Sequence, residues 1–168
     1  MKFFTAVSTL ILAATAALAA PSTSTTVTVS YDQTYDNGAN SLDIVACSNG
    51  PNGMEHLGKP KLTPISSQTV FQDANYTLFI GYTTFGSLPT KYIGGAAAIA
   101  GWGSAECGTC WQLSYNGNTV NVLAIDHAGA GFNIALSAMN ALTDDQGVFL
   151  GRVNAQATQV DKSLCGLH

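Results

Sequence analysis

Charge is what this chain has least of. Asp, Glu, Lys and Arg make up 10% of its 168 residues, and six basic against ten acidic residues leave a formal net charge of −4. Such a chain offers no basic face to neutralise phosphates and no polybasic patch for anionic lipid, which removes nucleic acid and membrane from its expected partners. Histidine is scarce too. His56, His127 and His168 form no H-x3-5-H pattern that could join the cysteines in a zinc site, so no metal and no cofactor is expected. Beyond residue 20 there is no apolar run long enough to cross a bilayer, no internal repeat and no low-complexity linker.

What is present begins with the N-terminus. Lys2 precedes an apolar run from Phe3 to Ala20, broken only by a few hydroxyl residues and closing in Ala17-Leu18-Ala19. These are the basic start, apolar centre and small-residue cleavage site of a secretory leader, and the polar stretch Pro21 to Thr26 that follows argues against a membrane span. Cleavage is expected after Ala19, because a cut after Ala20 would place Pro21 next to the scissile bond. Residues 1–19 therefore read as signal peptide and 20–168 as one mature domain, secreted to the extracellular space or cell wall.

Secretion decides how Cys107-Gly108-Thr109-Cys110-Trp111 is read. In a reducing compartment a C-x-x-C pair suggests redox or zinc chemistry; in a secreted chain with Cys47, Cys107, Cys110 and Cys165, it is two structural half-cystines with distant partners. Three connectivities are open on the count alone. Seventeen glycines with many Asn, Ser and Thr point to a turn-dense, β-rich domain. Thr26 to Tyr31 alternates as a strand, Trp111 to Tyr115 and Thr119 to Ile125 flank the hairpin turn Asn116-Gly117-Asn118, and Val148 to Thr158 alternates as a last strand. Ile134 to Leu142 carries apolar residues at helical intervals, with Asn133 placed to cap it.

Taken in order, these pieces resemble the cerato-platanin family of small secreted fungal proteins. The matching elements include Val29-Ser30-Tyr31-Asp32, Val45-Ala46-Cys47-Ser48-Asn49-Gly50, Thr84-Phe85-Gly86-Ser87-Leu88-Pro89, Ile93-Gly94-Gly95-Ala96, Gly101-Trp102, Cys107-Gly108-Thr109-Cys110-Trp111, Ala124-Ile125-Asp126, Gly131-Phe132-Asn133 and Cys165-Gly166. The resemblance implies a mainly β fold, a six-stranded double-ψ β-barrel with short peripheral helices, related to the first domain of expansins. It also implies two disulfides, Cys47–Cys107 and Cys110–Cys165. In function it implies a protein that is not an enzyme: one that binds chitin-type N-acetylglucosamine oligomers, loosens polysaccharide without cutting it, and elicits plant defence, with a plant host receptor as a further partner.

The ligand-binding residues that the resemblance suggests are Tyr31, Asn52, Gly53, Asp126 and Asn133. Their chemistry suits a neutral sugar: Asp126 and Asn133 can bond hydroxyl and acetamide groups, Tyr31 offers a stacking face, and glycines let backbone approach a ligand. Each has a plainer reading beside it. Tyr31 on an alternating strand can be core or barrel rim, Asn133 a helix cap, and Asp126 a partner for backbone amides. Trp111 reads as core and Trp102, in a Gly-rich loop, as either core or exposed. A weakly lytic or expansin-like protein using Asp126 is the rival function, although glycoside hydrolysis normally needs two carboxylates and no second acid stands out. An interaction protein with no specific sugar site is the third.

One segment departs from the family pattern. Lys59 to Gly81 intervenes between Leu57-Gly58 and Tyr82-Thr83-Thr84-Phe85, where the family passes through only a few variable residues. Gly58-Lys59 can be encoded with a GGTAAG donor, Ala74-Asn75 with a GCTAAC branch site and Ile80-Gly81 with an ATAG acceptor, the order of a short fungal intron. The expectation is that residues 59–81 are a retained intron, the alternative being a surface loop carrying the sequon Asn75-Tyr76-Thr77.

Overall fold

A computed structural model describes residues 23–57 and 81–168. The leader read at residues 1–19 lies outside the described residues, as does all of the 59–81 segment except Gly81. Six strands form the chain's framework: β1 (Thr25–Tyr31), β2 (Ile93–Ala96), β3 (Cys110–Tyr115), β4 (Asn118–His127), β5 (Phe132–Ile134) and β6 (Arg152–Val160). They close into a barrel in the order β1-β5-β2-β4-β3-β6. Two of its pairings are parallel, β1 with β5 and β2 with β4, and the others antiparallel. The mainly β, double-ψ barrel expected from the resemblance is the fold observed.

Sequence pattern explains most of this. In β6 the residues alternate inside and out, with Val153, Ala155 and Ala157 buried, as a strand with one wet face requires. β4 breaks that alternation: Val122, Leu123, Ala124 and Ile125 are all fully buried, because the barrel interior takes one face and helix α1 (Leu136–Thr143) packs on this strand from outside. Each such Leu, Ile or Val removed from water contributes roughly 1.5–3 kcal/mol. Asn116 and Gly117, with φ of 48° and 89°, form the tight turn that pairs β3 with β4 from Tyr115↔Asn118 onward.

Two expectations are corrected. Val148 does not begin the last strand; it belongs to the short helix α2 (Gly147–Leu150), 63% exposed, and β6 starts only at Arg152. A four-residue helix has no periodicity to read, so its apolar residues merge with the alternation that follows. Asn133 does not cap α1 either. It lies within β5, and the first amides of α1, those of Leu136 and Ser137, donate to the Asp36 carboxylate at 2.7 and 2.9 Å. The cap comes from about a hundred residues upstream, beyond the reach of a local signal.

The disulfides join Cys47 to Cys107 and Cys110 to Cys165, so both cysteines of the C-x-x-C pair have distant partners. The first ties the loop after Leu42–Ile44 to the loop before β3; the second anchors the C-terminal turn Lys162–Cys165 to β3.

Candidate functional site

Strand register assembles one group of the suggested residues. Ser30 on β1 pairs with Asn133 on β5, Asn133 with Gly95 on β2, and Gly95 with Asp126 on β4, giving a polar row across four strands. Asn133 and Asp126 thereby flank a position that carries no side chain. A Cβ at Gly95 would meet the His127 carbonyl oxygen at 2.9 Å, so β2 runs close under β4 where the register shifts between Gly94 and Gly95. Ser30 Oγ donates to Asn133 Oδ1 at 3.1 Å and orients the amide, whose nitrogen keeps its hydrogens free among the described residues.

Asp126 is heavily engaged. Its Oδ1 accepts from the amides of Ala46 and His127 at 2.9 and 2.8 Å, and its Oδ2 accepts from the Tyr35 hydroxyl at 3.0 Å. A carboxylate has about four acceptor positions, so one remains on Oδ2 for an outside donor. Tyr35 is buried, and burial together with the adjacent Asp126 carboxylate pushes its hydroxyl well above the usual tyrosine range. The hydroxyl therefore stays a donor to Asp126 at any ordinary pH. Tyr35 was not among the suggested residues; its partner lies 91 positions away, and nothing local marks it.

Tyr31 stands one position further along β1, paired with the buried Ile134, and packs partly against the core. It shares a strand face with the fully buried Val29, which puts its ring on the barrel side of the row.

Asn52 and Gly53 fall in a second group, above the Cys47–Cys107 bridge. Asn52 Nδ2 donates to the Gly103 carbonyl at 3.1 Å. Gly53 is glycine because its loop closes on itself: a Cβ there would overlap the Ser48 carbonyl oxygen. Beside them Trp102 is 67% exposed, with Nε1 donating to Asn49 Oδ1 at 3.1 Å. Trp111 is partly buried, edge-on to Phe132 at 5.4 Å, and donates to Thr109 Oγ1. A separate cleft is bordered by Leu57, Tyr82, Gly108, Gln159, Lys162 and Leu167, and none of the suggested ligand-binding residues lines it. Among the described residues no three His, Cys, Asp or Glu side chains stand close enough to hold a metal, and no helix is long and apolar enough to cross a membrane.

The comparisons with known proteins identify the family and the fold. The Cerato-platanin family model matches residues 27–71 and 65–167. Allergen Asp f 15 of Aspergillus fumigatus is 42% identical over 172 residues, covering 98% of this chain and 97% of that relative. The crystal structure of cerato-platanin 3 from M. perniciosa is similar with a TM-score of 0.68 at 41% identity, over 85% of this chain and 100% of that one. The solution structure of the fungal elicitor Cerato-Platanin is similar with a TM-score of 0.60 at 34% identity, over 83% of this chain and 96% of the other. With its barrel, both disulfides and nearly all of residues 27–167 accounted for, the chain belongs to the cerato-platanin family.

Proposed function

We propose that this is a secreted, non-catalytic binder of N-acetylglucosamine oligomers that acts at the cell wall and is sensed there by a plant host as an elicitor. The observation that carries the reading is the polar row: Asn133 and Asp126 flank the side-chain-free Gly95 and keep one amide group and one carboxylate acceptor position unspent. A neutral sugar with an acetamide supplies the matching acceptors and donors without needing charge. Support for the elicitor role comes from the 34% identical fungal elicitor, and for secretion from the leader at residues 1–19.

The rival lytic reading is disfavoured by the same bonds. Glycoside hydrolysis normally needs a second carboxylate beside the first, whereas the groups bonded to Asp126 are the amides of Ala46 and His127 and the Tyr35 hydroxyl. Incubating the pure protein with chitin oligomers and polymeric chitin, and measuring both retention and new reducing ends, tests the proposal. Retention without new ends is the expected result. Sustained release of ends overturns the non-catalytic assignment, and absence of any retention overturns the sugar-binding one.

A further inference from the structure

Trp102 is a large apolar side chain that the fold exposes while holding it still. The residues on either side, Gly101 and Gly103, have φ of 150° and 75°, backbone that other residues rarely adopt, so this turn is built to throw the intervening side chain outward. The indole then lies against Gly50: a Cβ added there would approach Trp102 Cε2 to 3.2 Å and the Gly103 Cα to 3.0 Å. Its only polar atom is spent on Asn49 Oδ1, and Asn52 pins the following carbonyl. The Cys47–Cys107 bridge joins the two loops that make these contacts.

We infer that Trp102 is a stacking platform for a pyranose ring, an additional subsite of the oligosaccharide site proposed above. This rests on that reading. An aromatic face whose orientation is already fixed binds the C–H face of a sugar without the cost of ordering a mobile side chain. The groups at its rim are neutral amides: Asn49 keeps its amide nitrogen and Asn52 its side-chain oxygen without partners among the described residues. Those are groups for hydroxyls and acetamides; a cationic ligand would find no carboxylate among the three side chains that build the platform. One short segment, Ala46 to Asn49, links the platform to the polar row. Ala46 donates to Asp126 and Asn49 receives Trp102, and three residues of chain span at most about 11 Å, within reach of one short oligomer.

The test is calorimetric titration of chitin oligomers of two and six sugars into wild type, Trp102→Ala and Trp102→Phe, with thermal melts of all three. The expected result is that Trp102→Ala keeps its melting temperature and binds the six-sugar oligomer about tenfold more weakly, while Trp102→Phe, which retains an aromatic face, recovers most of the affinity. The two-sugar ligand, which can occupy the polar row without reaching the indole face, is expected to lose less. Wild-type affinity in Trp102→Ala overturns the platform and leaves the sugar-binding assignment intact. Failure of wild type to bind either oligomer overturns both.

Discussion

Asp126 and Trp102 flank the same short segment, Ala46 to Asn49, yet the fold fixes them by different means. Asp126 follows four fully buried residues near the end of β4, and its carboxylate is held by the amides of Ala46 and His127 and by the Tyr35 hydroxyl. Trp102 rides on a turn without regular structure, held by glycine geometry, two asparagines and a disulfide. A group positioned by strand register fails only with the barrel. A group positioned by a loop can fail alone. On the proposed function, the same segment thus contacts one residue whose loss should affect binding and stability together, and one whose loss should affect binding alone.

Removing the Cys47–Cys107 bridge is the most forceful way to break that comparison. Cys47→Ala with Cys107→Ala is expected to cost about 2–5 kcal/mol, measured by denaturant unfolding, because the bridge closes 60 residues of chain. Where the variant remains folded, protease cleavage should begin in the Asn49–Gly53 and Gly101–Gly103 loops, before the barrel row is lost. Simultaneous opening of row and loops would show that the two regions are one cooperative unit.

Asp126→Asn sharpens the comparison from the other side. An amide can accept the Ala46 and His127 bonds and donate to Tyr35, but it loses the charge that strengthens all three. The expected cost is about 1–3 kcal/mol of stability together with about tenfold weaker binding of chitin oligomers, seen in thermal melts and titrations run on the same preparations. A variant with wild-type stability and wild-type affinity would remove Asp126 from the site.

Tyr35 adds a pH dependence of known sign. Its proton is held more tightly in the folded protein than in the unfolded chain, because burial and the Asp126 carboxylate oppose ionisation. The stability it contributes is complete below the unfolded tyrosine pKa of about 10 and is lost progressively as the pH rises above that value. Tyr35→Phe should therefore cost about 1 kcal/mol near neutrality, and its stability should decline less steeply than wild type above about pH 10 in parallel denaturant titrations. Equal alkaline slopes would show that the hydroxyl titrates normally.

What the residues announced in advance follows the same division. β1, the β3–β4 hairpin and the C-x-x-C half-cystines were legible because alternation, Asn-Gly turns and a secretory leader are local signals. The bonds that give Asp126 and Asp36 their roles were not, since their partners lie 80 to about 100 residues away. Asn133 shows the cost of reading locally: beside a helical pattern it resembles a cap, and only the barrel register turns it toward Ser30 and Gly95.

The segment 59–81 supplies the mildest perturbation of the two regions. Leu57 and Tyr82, the partly buried residues just outside it, both pack on the core and border one cleft, and Gly81 returns so close to Glu55 that a Cβ there would overlap its carbonyl oxygen. The chain therefore leaves and re-enters the core at one place. The family model matches in two pieces, 27–71 and 65–167, that meet inside the same segment. We propose that residues 59–81 are a retained intron, and sequencing the transcript is the direct check: a message encoding Lys59 to Gly81 refutes it. Joining Gly58 to Tyr82 in the expressed protein is the functional check. That variant should keep both disulfides and bind chitin oligomers within about twofold of the full chain, because the bonds described for Asp126 and Trp102 run to Tyr35, Ala46, His127 and Asn49, and shortening a closed loop lowers the entropy of closure only slowly with length. A larger loss of affinity would place part of the sugar site on residues 59–81 and make the segment a genuine piece of the protein.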